Sequence, residues 1–375
     1  MNMQSVTTIF PGLQIRDFRI LAEHNAQESR EVCVQMTVLL PAARAQQQDI
    51  ECGIPVADAA AKWLKMKASV VKRSSYDRLE ATVQNQILPF FGQLRLNDLD
   101  PACVQDWIDE LAENYSYSTL TKAFQSLNAI LDFAVLHDLL PVNSIRDRAV
   151  LPRNNGRTLR DVVTFTPAEC GRIVRASYAK DESGKTDPLA PLLPFLLNTG
   201  LRIGEALALR WNDIDRKHRF VRIRRNIKSV RNRSGKTDEP HYLTIEQNSV
   251  KTKTSDRIVH LNQAAMRALD NLHRRSDSDL VFPNRHGAFC SYASIRRMMQ
   301  RVFQRAQVPV RGFHVFRHTF ATNLFAQGVE VKTVSSILGH SSVKITYDIY
   351  IHSIQEQEAR AVALLAEADG AAAAL

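Results

Sequence analysis

Between residues 53 and 150 apolar side chains return every three or four positions. Val56, Ala60, Trp63 and Leu64 fall on one helical face, and Leu79, Val83 and Ile87 on another. Pro89 is expected to stop that second helix, because a proline inside a helix removes a donor and clashes with the preceding turn. Asp100-Pro101 is a start signal: an N-cap, then a proline whose missing N–H would have had no partner there. It precedes Val104, Trp107, Ile108 and Leu111. Ser118 is expected to cap a last helix with the face Leu120, Phe124, Leu127, Ile130, Leu131, Ala134 and Val135. This spacing predicts a small helical bundle whose apolar positions are core.

The pattern then changes. Residues 151–160, with Asn154-Asn155-Gly156, read as a linker. Thr166-Pro167 opens a helix, and Leu192 to Leu209 contains another around Arg202. Phe220 to Ile227 alternates as one strand, placing Phe220, Arg222 and Arg224 on one face and Val221, Ile223 and Arg225 on the other. Tyr242 to Ile245 and Ile258 to Leu261 supply further strands. Lys228 to Lys236 reads as a basic hairpin tip, either a plain exposed loop or an insertion that grips a duplex or a neighbouring protomer. The fold expected is mainly α with a small antiparallel β-sheet. Upstream, residues 1–52 carry β-prone runs at Ser5 to Phe10 and Val32 to Leu40 and form an N-terminal extension. It is slightly acidic and contains no lysine, a poor composition for an independent DNA-binding domain.

Charge sharpens this division. The net charge is +10, but residues 1–153 are slightly acidic, while 154–350 hold 33 basic against 17 acidic residues. An excess confined to one region fits a polyanionic partner, since neutralising phosphates releases counterions. A solvated surface explains charge alone equally well. The five cysteines are scattered without a CxxC pair and read as reduced packing thiols. The longest apolar run, Leu189 to Leu197, contains two prolines and is too short to span a bilayer. No secretion signal is apparent, so a cytoplasmic, nucleoid-associated protein is expected and no membrane partner.

The chemistry-bearing residues lie in that basic region. His314-Val315-Phe316-Arg317-His318 is followed by Leu338-Gly339-His340 and then by Tyr350 in Asp348-Ile349-Tyr350-Ile351-His352. Upstream, Leu201-Arg202-Ile203-Gly204-Glu205 adds an arginine, and Lys251-Thr252-Lys253-Thr254-Ser255-Asp256-Arg257 adds a lysine. Planar guanidiniums grip the oxygens of a phosphoryl group in pairs and keep their protons. His314 and Arg317, three apart, emerge on one helical face. The late histidines lack the carboxylate or thiolate partners of a zinc site, and no nucleotide-binding GxxxxGK[ST] occurs. No metal and no cofactor is expected.

These motifs, in this order, resemble the catalytic domain of the tyrosine recombinases, the phage-integrase family. The resemblance covers residues 161–352, and at the level of architecture 53–150, which is similar to the family's helical core-binding domain. It implies a mixed α/β catalytic domain over 161–352; the tail, 353–375, reads as a helix with Ile354, Val362 and Leu365 on one side, which in the family would dock on a neighbouring protomer and otherwise packs on its own chain. It further implies that Arg202 and Arg317 clamp the scissile phosphate, that His340 donates to a non-bridging oxygen, and that His314 assists proton transfer. Tyr350 is then the nucleophile, and Tyr347 lies out of register. Lys251 protonates the departing 5′-oxygen, with Lys253 its rival. Glu205 orients Arg202, and His318 supplies a supporting hydrogen bond. Arg222, Arg224, Lys228, Arg231 and Arg233 are candidate DNA contacts.

The activity so implied is site-specific recombination through a 3′-phosphotyrosine, by a homotetramer on double-stranded core sites that passes through a Holliday junction. Directionality or DNA-bending factors are possible partners. Integration and excision of a mobile element is the first reading. The alternatives are an Xer-like resolution recombinase, a type IB topoisomerase, and an architectural protein that binds without cutting.

Overall fold

The computed structural model describes the backbone of residues 14–26 and 29–39, and residues 53–146, 148–152, 162–236, 238–248, 256–272, 277–350, 354 and 359. The chain forms two compact units. One holds residues 1–65 and 82–151, the other 66–81 and 152–375.

In the first unit, β1 (Gln14–Ala26) and β2 (Ser29–Leu39) pair antiparallel, with register shifts after Ile15 and Ile20. The run Val32 to Leu39 is therefore a strand, while Ser5 to Phe10 lies outside the described residues. Downstream come α1 (Val56–Val70), whose last turn passes into the second unit, and α2 (Arg73–Thr82), which belongs to the second unit but for Thr82. Back in the first unit are α3 (Leu88–Phe91), α4 (Pro101–Asn114) and α5 (Tyr117–Leu136). Helices α1, α4 and α5 bury the periodic faces read from the sequence, among them Trp63, Val104, Trp107, Ile108, Leu127 and Ile130.

Two local expectations are corrected. Pro89 does not end the second helix. A π-helical turn, Val83–Ile87, precedes α3, and Pro89 occupies the first turn of α3, where its absent N–H leaves no gap. The indole N–H of Trp107 donates to the Gln86 carbonyl of that π turn at 2.8 Å. Nor is Ser118 the cap of α5. Ser116 is, its hydroxyl accepting from the Thr119 N–H. Asp100 does cap α4, accepting from the Cys103 N–H at 2.7 Å.

In the second unit, α6 (Pro167–Ser177) begins with a capping box in which Thr166 and Glu169 satisfy each other's backbone N–H. Then follow α7 (Leu192–Thr199) and α8 (Ile203–Ala206). A three-stranded antiparallel sheet in the order β3-β4-β7 comprises β3 (Ile214–Asp215), β4 (Phe220–Ile223) and β7 (Arg257–His260). A separate hairpin pairs β5 (Arg225–Arg231) with β6 (Tyr242–Asn248). The single strand expected over Phe220 to Ile227 is thus two strands in two sheets, broken at exposed Arg224. Alternation alone cannot register such a break, since Val221, Ile223 and Ile227 are all buried on their respective sheets. Lys228 to Arg231 also belong to strand β5 rather than to a hairpin tip.

Helices α9 (Gln263–Asp270), α10 (Tyr292–Ala306), α11 (His314–Ala326) and α12 (Val331–Leu338) complete the unit, with a last helical segment, α13, over residues 343–350. The main core gathers α6, α7, α10, β4 and β7 around Phe195, Phe282, Phe303 and Phe316. A second cluster joins Ala321 and Phe325 of α11, Val334 and Leu338 of α12, Tyr350 and Ile354. Ile354, in the expected tail helix, is helical and packs on its own chain; most of that tail lies outside the described residues. Among the described residues no helix is long and apolar enough to cross a membrane.

Candidate active site

Helix α7 ends at Gly200, whose φ of 63° closes the helix in the left-handed region and whose N–H returns to Leu196. A Cβ here would come within 2.3 Å of the Phe320 ring, so the close approach of α7 to α11 depends on glycine twice over. The turn delivers Arg202 to the start of α8. Glu205, one turn on, accepts from the Arg202 backbone N–H at 3.0 Å and from its guanidinium at 2.9 Å. Arg202 retains 38% of its side-chain surface while Glu205 is buried, so the guanidinium is anchored at its base and open at its edge.

Glu205 also takes a bidentate pair from Arg257 of β7, at 2.8 and 3.1 Å. Burial by itself would raise the Glu205 pKa. The hydrogen bonds and charges of Arg257 and Arg202 outweigh that and hold it down at about 2. In the sequence Arg257 stands as the last residue of the motif that carries Lys251, with no role of its own. Nothing local marks it, because its role depends on a carboxylate 52 positions away.

Arg257 and Arg317 then converge on one helix end. The Arg257 Nε donates to the Ile337 carbonyl at 2.9 Å, and Arg317 Nη2 donates to the Leu338 carbonyl at 2.7 Å. These are carbonyls at the C-terminus of α12, left without helical partners, where positive charge is favoured. Gly339 follows at φ 65°, and a Cβ there would sit 2.8 Å from the Arg257 side chain. This tight turn projects His340, whose Nδ1 lies 2.6 Å from the Thr346 hydroxyl. Arg317 is 4% exposed, and its other hydrogen bond goes to the Gly200 carbonyl at 3.1 Å. Burial, then the Arg202 charge, lower its pKa to about 9, so it remains a cation at neutral pH. Among the described residues of this cluster, one carboxylate thus pairs with Arg202 and Arg257 while Arg317 is held by carbonyls, and the balance is positive.

His314 and Arg317 project from the first turns of α11. The His314 pKa is lowered by partial burial and then by Arg317, Arg202 and Lys228. His340 is lowered to about 4 by burial, Arg317, Arg202 and Arg257, and His318 to about 4 by burial, His314 and Arg317. All three imidazoles are therefore neutral at physiological pH.

Tyr350, at the end of α13, is 2% exposed, its ring 5.3 Å from that of Phe325. Its hydroxyl lies 2.8 Å from His318 Nδ1. Burial pushes the phenol up to about 12 against the pull of Arg317. Tyr347, by contrast, is exposed.

The other predicted residues disperse. Lys251 and Lys253 lie outside the described residues. Lys228, expected at the hairpin tip, is half-buried on β5, its pKa lowered by burial and then by Arg78 and Arg202. It thus belongs to the electrostatic surroundings of Arg202 and His314. Arg233 bonds Asp77 at 2.6 Å and Glu80 at 2.8 Å and covers the Tyr76 ring at 4.8 Å. Arg231 meets Glu80 at 3.3 Å. Arg222 is half-buried on β4 and Arg224 exposed.

Comparison with known proteins accords with this geometry. Residues 164–357 match the phage integrase family, and residues 56–112 match the N-terminal SAM-like domain of phage integrases. A protein named tyrosine recombinase XerC-like, from Caldanaerobacter subterraneus subsp. tengcongensis, is 32% identical over 70% of this chain and 69% of its own length. The transposase from transposon Tn916 of Enterococcus faecalis is 26% identical over 70% of this chain and 65% of its own. The Tn1549 transposon integrase, solved with a circular intermediate DNA, shares the fold with a TM-score of 0.63. It is 20% identical, over 82% of this chain and 99% of that one. The family profile spans more than half of the sequence and takes in Arg202, Arg317, His340 and Tyr350; the chain belongs to the phage integrase family and is a tyrosine-type site-specific recombinase.

Proposed function

We propose that this recombinase integrates and excises a mobile element, with Tyr350 as nucleophile and Arg202, Arg317, His314 and His340 addressing the scissile phosphate. The observation that carries the assignment is the meeting of Arg202, Arg317, His340 and Tyr350, drawn from four separate segments, around one net-positive cluster. Attack of the phenol on phosphorus concentrates negative charge on the non-bridging oxygens. Preorganised guanidiniums stabilise that charge without reorganising during the reaction. The phosphotyrosine preserves the energy of the broken bond, so the free 5′-hydroxyl can reseal it without ATP.

The departing 5′-oxygen needs a proton. Lys251 is assigned that task by its motif, and Lys228 is the second candidate because its charge reaches Arg202 and His314. A substrate with a bridging sulfur at the 5′ position separates them, since sulfur leaves unprotonated. The lysine whose alanine variant recovers on that substrate is the donor.

The mobile-element reading draws on the Tn916 transposase and a prophage integrase of Lactococcus lactis among the relatives. A four-protomer synapse is proposed by analogy with the lambda integrase tetramer solved on a Holliday junction, a fold-level likeness with a TM-score of 0.56. Helical residues 53–150, catalytic residues 161–352 and accessory bending or directionality factors complete the proposal, as does association with the nucleoid. A second reading, Xer-like resolution, is favoured by the 32% identity to the XerC-like relative.

A nicked suicide duplex bearing the target site tests the chemistry: the wild type forms a covalent adduct and Tyr350→Phe forms none. An adduct that persists in Tyr350→Phe overturns the assignment. Recombination between two unlike attachment sites supports the mobile-element function, and recombination confined to two identical sites supports resolution.

A further inference from the structure

We propose that His318 is the proton acceptor for the Tyr350 hydroxyl, leaving His314 to the phosphate. This rests on the assignment of Tyr350 as nucleophile and goes beyond it.

The geometry distinguishes the two histidines of α11. His318 stands one helical turn beyond His314, and its Nδ1 lies 2.8 Å from the Tyr350 oxygen, the ring centroids being 5.7 Å apart. This is the hydrogen bond that the buried phenol makes among the described residues. A proton leaving Tyr350 has a ready path to that nitrogen. His314 shares the Arg317 charge with His318 but is also influenced by Arg202 and Lys228, cations gathered for an anionic ligand. The charged and titratable groups around His318 are His314 and Arg317 on its own helix, Tyr350 on α13 and His340 after α12.

A neutral imidazole is the required starting state, and the surroundings of His318 keep it neutral. A bound phosphate would offset the Arg317 charge that disfavours the imidazolium, so substrate binding itself makes His318 a better acceptor. In the cleavage step the Tyr350 Oη–H bond breaks as Oη bonds to phosphorus, and the proton moves to His318 Nδ1. The bond from phosphorus to the 5′-oxygen breaks, and that oxygen takes its proton from the site's donor lysine. In resealing, the 5′-hydroxyl gives its proton back to that lysine as its oxygen bonds to phosphorus, the Oη–P bond breaks, and the imidazolium returns its proton to Oη.

The test is single-turnover cleavage of the suicide duplex by His318→Asn. An asparagine oxygen can accept the phenol's hydrogen bond near the Nδ1 position but cannot hold the proton. Cleavage is expected to slow roughly 100-fold, within the usual range for a general base, with DNA affinity unchanged. A 5′-bridging sulfur is expected not to restore it, because that substitution relieves only the proton donor. In His318→Ala, added imidazole is expected to recover at least about tenfold of the lost rate. This rescue decides the matter should the asparagine variant bind DNA poorly. Cleavage by His318→Asn within threefold of wild type, rescue by the sulfur substrate, or no response of His318→Ala to imidazole each overturn the role. If the wild type formed no adduct at Tyr350, the recombinase assignment itself would fall; an undiminished adduct in His318→Asn removes only this inference.

Discussion

Glu205 and the last carbonyls of α12 fix the arginine side of the site through charged hydrogen bonds, whereas among the described residues Tyr350 is fixed by one hydrogen bond and a sleeve of apolar side chains. The two sides face different demands. The arginines must stay charged and aimed, so buried Arg317 is satisfied by carbonyls while Arg202 and Arg257 share the one Glu205 carboxylate. A carboxylate for each would cancel the field meant for phosphate. Tyr350, the proposed nucleophile, would have to stay protonated and shielded until substrate arrives, and burial favours that by raising the cost of the phenolate.

Substitutions test this contrast. The largest effect is expected from Glu205→Gln, which leaves Arg257 buried without its counter-charge. Loss of one partner from a buried ion pair costs about 3–5 kcal/mol, to be read from urea unfolding. Cleavage should fall in parallel, because Arg202 loses its anchor. Next, Arg317→Lys cannot span the Gly200 and Leu338 carbonyls or present a planar pair of donors to phosphate. Its single-turnover cleavage should drop roughly 10²–10³-fold.

Acidification should follow the histidines. His318 and His340 sit at about 4 in the folded chain and near the ordinary histidine value when unfolded. Between these values the unfolded state binds more protons. Stability is therefore full above about pH 6.5, declines as pH falls towards 4, and levels off below. Glu205 adds a later loss between about 4.5 and 2. Thermal midpoints across this range check the prediction, and replacing both histidines by asparagine should flatten the first decline. The smallest effect is expected on the tyrosine side. Phe325→Leu should cost about 1 kcal/mol and hasten nitration of Tyr350, measured by peptide mass spectrometry, with little change in DNA affinity. An equal loss from Glu205→Gln and Phe325→Leu would show that the two sides are not built differently.

Much of this was legible along the chain. The caps at Asp100 and Thr166, the periodic faces of α4 and α5, and the spacing of His314 and Arg317 are local, and local sterics and hydrogen bonding decide them. The failures were local too, but came from competing choices. Ser116 and Ser118 are both able to cap, and Ser116 prevails by two residues. Pro89 reads as a stop unless a π turn shifts the frame ahead of it. Arg224 sits between two strands of correct alternation that belong to different sheets.

The sequence by itself determined which chemical groups are present and in what order: guanidiniums, imidazoles and a late phenol, on helices whose boundaries short-range forces set. Only the tertiary structure decided how these groups are partnered. It gave Glu205 to both Arg202 and Arg257, spent Arg231 and Arg233 on Asp77 and Glu80, and set the Tyr350 hydroxyl against His318 rather than His314. Apart from Arg202 with Glu205, three positions apart and expected from the sequence, these pairings join residues dozens to more than a hundred positions apart. Each depends on the packing of whole helices and strands, and no neighbouring residue carries a trace of it.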